Sequence, residues 1–178
     1  MTTLIISCSL HPQSRSYVLA KQAALAFEAL GEAVVLIDLR DHDLKFYDTV
    51  FHLTEEAQAL RRTIEAADTV LMALPIYNYD VNAAAKNLTE LTGRAWMNKL
   101  VGFLCAAGGK GSYMSVMSFA NSLMLDFRCI IVPRFVYAMG SDFGDDREPT
   151  MHIASETIQE RVKELVSTTA ELKKRLFT

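Results

Sequence analysis

Short runs that are apolar on both faces alternate along this chain with longer stretches of helical period. Thr3–Cys8 (TLIISC), Ala33–Ile37 (AVVLI), Thr69–Leu74 (TVLMAL), Lys99–Ala106 and Cys129–Pro133 are compact and rich in branched side chains, the pattern of strands covered on both faces. Between them, Ser16–Leu30, Thr54–Ala67, Asn82–Leu91 and Tyr113–Asp126 carry helical periodicity, and Ile153–Phe177 reads as a long closing helix. Gly31 stands where a glycine ends a helix, and Thr54 stands at an N-cap ahead of a stripe of Ala57, Leu60, Ile64 and Ala67. Pro75 is expected to stop the third strand. Five strands separated by helices predict βαβ units and an α/β fold with a parallel sheet between two helical layers. The stretch Met139–Met151 (MGSDFGDDREPTM) is irregular and acidic, either a solvated loop or a rim over a site.

Length and composition narrow this further. The chain has 178 residues with no linker, repeat or low-complexity run, so one domain over residues 1–178 is expected. Hydrophobic residues make up 51% and charged residues 22%, enough for a substantial core and too apolar for disorder. A net charge of −3 argues against nucleic acid or an anionic membrane surface as a partner. No apolar run approaches the roughly 20 residues of a membrane helix. The first residues, MTTLIISCSLHPQSRS, lack the basic region of a signal peptide. Three widely spaced cysteines, Cys8, Cys105 and Cys129, form neither a disulfide framework nor a zinc pattern, which fits a reducing cytoplasm.

Ligands of open parallel sheets bind at the carboxyl ends of the strands, so the segments that follow strands one, three and four carry the chemistry. After the first strand comes Ser9-Leu10-His11-Pro12-Gln13-Ser14-Arg15-Ser16, leading straight into a helix. Hydroxyls, a histidine and an arginine at a helix N-terminus suit a terminal phosphate monoester, although the same serines are also ordinary helix caps. The fingerprints GxGxxG and GxxxxGK[ST] are both absent from this turn. After the third strand, Pro75-Ile76-Tyr77-Asn78-Tyr79-Asp80 offers aromatic faces and an amide to a flat heteroaromatic ring, or else makes an ordinary turn with surface tyrosines. After the fourth, Ala106-Ala107-Gly108-Gly109-Lys110-Gly111-Ser112 places three of the chain's eight glycines within four residues, where backbone amides can approach a ligand closely.

Together these segments resemble the NADPH-dependent FMN reductase family. That family has a Ser/Arg/Ser phosphate loop after strand one, a P-x-Y-N stretch followed by L-K-N after strand three, and a glycine turn after strand four. The resemblance runs from the first strand to the fifth. It implies a flavodoxin-like three-layer α/β/α sandwich with a five-stranded parallel sheet in the order 2-1-3-4-5. It also implies non-covalent FMN, with the phosphate at Ser9, His11, Ser14, Arg15 and Ser16. The isoalloxazine would then lie against Pro75, Ile76, Tyr77, Asn78 and Tyr79 and the turn Ala107, Gly108, Gly109 and Gly111. The implied reaction passes a hydride from NADPH or NADH to flavin N5, and then reduces a small-molecule acceptor: free flavin, a quinone, an azo compound or a metal ion. No side chain is assigned as acid or base, because the chemistry is the cofactor's. A homodimer or homotetramer is implied, with the helix from Asn82 and the helix bearing Met114, Met117 and Met124 as contact faces.

The chain departs from the family pattern at His11, where arginine is usual, at Asp80 and Asn82, which replace serine and proline, and at Ala106, which replaces serine. Two alternatives remain at this stage: a flavodoxin-type electron carrier without NAD(P)H turnover, and a binding module without flavin. The cysteines are expected to be buried structural thiols, and Lys86–Glu90 a solvated helix pair. His11, His42, His52 and His152 show no metal-ligand spacing, and no metal is expected.

Overall fold

The computed structural model describes residues 2–48, 53–145 and 147–177, so His52 lies outside the described residues. In chain order the strands are β1 (Thr3–Ser7), β2 (Val34–Asp38), β3 (Thr69–Tyr77), β4 (Asp80–Val81), β5 (Leu100–Ala107), β6 (Ile130–Ile131) and β7 (Val136–Met139). The helices are α1 (Arg15–Ala29), α2 (Glu55–Ala66), α3 (Ala83–Thr92), α4 (Met117–Phe127) and α5 (Glu156–Phe177). The sheet order is β2-β1-β3-β5-β6, with β7 also on β5 and β4 on β3. All pairings are parallel except the β3–β4 hairpin. This is the doubly wound, flavodoxin-like order that the resemblance implied, with seven strands in place of five.

Both faces of the sheet are covered. Along β1 the side chains alternate: Leu4 and Ile6 pack with α2, α3 and α4, while Ile5 packs with α1 and α5. Successive strands repeat this, with Val70, Met72 and Leu74 on the first face and Leu71 and Ala73 on the second. α1 ends as expected, with Gly31 at φ +75° and its N–H donating to the Glu28 carbonyl at 2.9 Å. Thr54 caps α2 by accepting the Ala57 N–H at 3.2 Å.

Two strand boundaries differ from expectation, each for a backbone reason. β3 does not stop at Pro75 but runs through it to Tyr77, with Pro75 in register with Ala106. The Ala73 carbonyl points towards β1, where it accepts the Cys8 N–H, so Pro75, two residues on, faces the same side. β1 has already ended at Ser7, and the missing proline N–H breaks no ladder there. The fifth strand is split instead. β6 pairs with Leu100 and Val101, Pro133 and Arg134 (φ +67°) interrupt the ladder, and β7 resumes beside Leu104–Ala107. α4 likewise begins at Met117 rather than Tyr113, because the backbone before it closes tighter turns, with the Ser115 N–H on the Ser112 carbonyl and the Met117 N–H on the Met114 carbonyl.

Gly102 sits mid-sheet on β5, where an added Cβ would stand 2.5 Å from Leu71 Cδ2 and 3.5 Å from Leu165 Cδ1. Gly102→Ala is therefore expected to lower stability by about 1–3 kcal/mol in urea unfolding. Combined with Leu71→Ala, its cost should be clearly less than additive, since the two changes share one space.

Candidate flavin-binding site

The crevice forms because β1 turns away after Ser7 while β3 and β5 run on. β3 then reverses through a two-residue turn, Asn78 (φ +51°) and Tyr79 (φ +62°), into β4. Two left-handed residues in succession are the type I′ hairpin geometry, tolerated by asparagine and strained for tyrosine. Asp80 steadies the return, accepting the Val81 N–H at 2.8 Å and the Ser118 hydroxyl at 3.3 Å. Asn82 ties this corner back to the first strand, its Nδ2 donating to the Cys8 carbonyl at 2.6 Å. Of the departures from the family pattern, Asp80 and Asn82 thus have structural partners.

A cavity of about 430 Å³ opens between the three segments. It is lined by Ser9, His11, Ser14, Arg15 and Ser16 from the loop into α1, by Pro75, Ile76, Tyr77 and Asn78 from the end of β3, and by Ala107 and Gly108 from the end of β5. Tyr79, Gly109 and Gly111 do not line it. Tyr79 turns outward over the glycine turn, and its hydroxyl lies 3.1 Å from where a Cβ of Gly111 would stand. The Gly109 carbonyl accepts a hydrogen bond from Tyr137, which also meets the Ser112 hydroxyl at 2.7 Å. Gln13 and Ala106, which belong to the two segments but not to the expected cofactor contacts, also line the cavity. Tyr137, which braces the glycine turn from β7, gives no local sequence signal because its strand exists only after the break at Pro133.

The three serines of the loop are almost fully buried, at 1–2% exposure. Ser14 is the N-cap of α1: its Oγ accepts the Tyr17 N–H at 3.0 Å and lies 3.1 Å from Ser16 Oγ. Capping uses only acceptor capacity, so hydroxyl protons remain to meet an anion at the positive end of the helix. The ring of His11 folds back on its own loop, with the Gln13 N–H 3.0 Å from Nδ1. The Arg15 guanidinium lies against Gly140, whose missing side chain leaves it room, and 6.0 Å from the Phe143 ring centroid.

A second set of side chains holds the loop from outside the cavity. Asp38, at the end of β2, accepts Arg40 Nη2 at 2.6 Å and Nε at 2.8 Å. Hydrogen bonding to Asp38 keeps the Arg40 pKa above its ordinary value, against the opposing effect of burial. Arg40 stacks 4.5 Å above the Tyr17 ring and donates to the Pro12 carbonyl at 2.8 Å and to Glu148 Oε1 at 3.0 Å. Among the other residues weighed in the sequence, Lys86 and Glu90 form an exposed i,i+4 pair at 3.3 Å. Asn87 binds the Lys45 and Tyr47 backbone rather than the crevice. Among the described residues, no three metal-ligating side chains cluster, and no helix is long and apolar enough to cross a membrane.

A crevice at the switch point of a flavodoxin-like sheet, with buried hydroxyls at a helix N-terminus and a glycine turn beside it, has the form and donors that a phosphorylated aromatic ligand requires. Residues 1–144 match the model of the NADPH-dependent FMN reductase family, and the chain belongs to that family. It is an FMN-dependent NAD(P)H oxidoreductase. An NAD(P)H-dependent FAD/FMN reductase of Geobacillus thermodenitrificans is 26% identical over 135 residues, 74% of this chain and 71% of that protein. An NADPH azoreductase of a Bacillus species is 26% identical over 184 residues, 99% of this chain and 98% of the other. In fold, an oxidoreductase of Corynebacterium diphtheriae superposes with a TM-score of 0.77 at 20% identity, over 98% of this chain and 97% of that one.

The cysteines stand apart from this chemistry. All three are buried and unpaired. Burial pushes the Cys8 and Cys105 thiols far up, and raises Cys129 to about 11 against the opposing effect of Lys99. A raised thiol pKa keeps the protonated, unreactive form through neutral pH. Native protein at pH 8 should therefore react with a thiol reagent only as it unfolds, and prompt labelling of any cysteine in the folded state would contradict this picture.

Proposed function

We propose that FMN is held non-covalently in the 430 Å³ crevice, with its phosphate in the loop from Ser9 to Ser16 and its ring between the end of β3 and the glycine turn. The observation that carries this reading is convergence: three segments far apart in the chain line one cavity, with hydroxyl donors at one end and apolar and backbone groups at the other. The donors suit the group. Ser9, Ser14 and Ser16 surround a dianion with buried hydroxyls, Arg15 supplies its counter-charge, and His11 lines the same end of the cavity. Nothing lies within 4 Å of the Cβ positions of Gly108 and Gly109, so glycine leaves that turn open to a flat ring. Pro75, Ile76, Tyr77 and Asn78 form the opposite wall, while Tyr79, Gly109 and Gly111 act behind it by fixing hairpin and turn against each other.

Bound there, FMN supplies a two-electron relay between NADPH or NADH and a second small molecule. The chain's own part is to place the ring, to neutralise the phosphate and to leave one side of the crevice open. The exposed Tyr77 at its rim favours a flat aromatic acceptor such as a quinone, an azo compound or free flavin. Residues 1–178 would act as one domain, in the cytoplasm, where buried unpaired thiols persist. The apolar side chains Met114, Met117, Met124 and Leu125 lie exposed on and just before α4 rather than in the core. That supports assembly of two or four copies through α3 and α4.

Protein reconstituted with FMN should keep its visible flavin band through gel filtration and lose it anaerobically on addition of NADPH or NADH. Retained flavin that neither nucleotide bleaches would make the chain a carrier, and failure to retain any flavin would remove the proposed site. Ser16→Ala should weaken FMN binding roughly tenfold, the scale of one charge-assisted hydrogen bond, with riboflavin binding little changed. Leu125→Asp should shift the sedimentation of the oligomer towards the monomer.

A further inference from the structure

The acidic segment after β7 is neither a free loop nor a cover over the cavity. Its neck is closed by a bridge between Phe143 and Ile153 and by the Gly144 N–H on the His152 carbonyl at 3.0 Å. The His152 ring fills the space beside Gly144, where a Cβ would come within 2.3 Å of the ring. From this neck the segment presents Glu148 to the loop ahead of α1. Glu148 Oε1 accepts the Ser14 N–H at 3.1 Å and Arg40 Nη1 at 3.0 Å, and the Glu148 N–H donates to Gln13 Oε1. The same Arg40 Nη1 holds the Pro12 carbonyl at 2.8 Å. Three consecutive loop residues, Pro12, Gln13 and Ser14, are thus each tied to one clasp built from β2 and the acidic segment.

Neither Arg40 nor Glu148 lines the cavity. They reach it through the backbone that carries the serines and through the Gln13 side chain. We propose that Arg40 and Glu148 are positioning residues that set the preference for a phosphorylated over an unphosphorylated flavin, by holding Pro12–Ser14 in the shape from which the Ser9, Ser14 and Ser16 hydroxyls converge. This rests on the reading that the flavin phosphate sits in that loop. Hydroxyl donors on an irregular segment discriminate only if their geometry is set before the ligand arrives, because ordering them at binding would offset the gain. Charge alone would act the other way, since Arg40 is shared by two carboxylates, Asp38 and Glu148, and the clasp carries no surplus positive charge for a phosphate.

The test is a fluorescence titration with FMN and with riboflavin, read as the ratio of the two dissociation constants. Glu148→Ala and Arg40→Met should each lower the preference for FMN about tenfold, through weaker FMN binding with riboflavin binding within about twofold of wild type. Glu148→Gln, whose amide oxygen still accepts from Ser14 and Arg40, should keep the wild-type preference. An unchanged or increased preference in Glu148→Ala, or a loss in Glu148→Gln equal to that in Glu148→Ala, overturns the inference. A wild-type ratio near one, or no flavin binding at all, overturns the phosphate reading itself. That result is distinct from a clasp that fails while the wild type still discriminates.

Discussion

Everything at the ligand end of this molecule depends on one mismatch of strand lengths in the middle of the sheet. β1 ends at Ser7, in register with Ala73, while β3 and β5 stay paired as far as Pro75 and Ala106. Hydrogen bonding across β3 and β5 makes the floor rigid, and the early exit of β1 leaves β3 without its β1 partner beyond Ala73, where only the short β4 returns beside it. The loop into α1, the hairpin and the glycine turn rise around that step, which is the crevice. Pro75 matters here because it lets β3 continue past its lost neighbour without offering an unpaired N–H to the site.

The loops around the step are irregular, yet each is fastened by a side chain from a distant part of the chain. Asn82 ties the hairpin corner to the end of β1, and Tyr137 ties the glycine turn to β7. Arg40 and Glu148 tie the α1 loop to β2 and to the acidic segment. A binding surface made of backbone amides and short hydroxyls has little reach of its own, so its geometry has to come from such supports. The acidic stretch, either a solvated loop or a rim on sequence grounds, takes part in this bracing through Glu148.

Much of this was legible in the residues. Burial on both faces of Thr3–Cys8 and Thr69–Leu74, set between helical stretches, is enough to specify a parallel sheet, since only crossover helices can cover both sides. The sheet order came from family resemblance instead, and the chain pairs its strands in that order. Ser14 as a cap and Gly31 as a stop were readable because capping depends on residues a few positions away. The end of β3 was not legible, because the effect of a proline on a strand depends on which neighbour its missing N–H would face. The split of the fifth strand was not legible, because the resumption at Val136 depends on pairing with β5 beyond the interruption at Pro133 and Arg134.

By itself, then, the sequence determined most of the strands and helices and which strand ends bear polar or glycine-rich turns. These are matters of local pattern, set by period, capping and the backbone freedom of glycine. Only the tertiary structure decided which residues of those turns face a common cavity, why Tyr79 and Gly111 stand behind it, and that Arg40, Tyr137 and Glu148 support it. Contacts of this kind join residues up to 135 positions apart, as Gln13 and Glu148 are. No local pattern encodes them, because they exist only once the sheet has brought its strand ends to one edge.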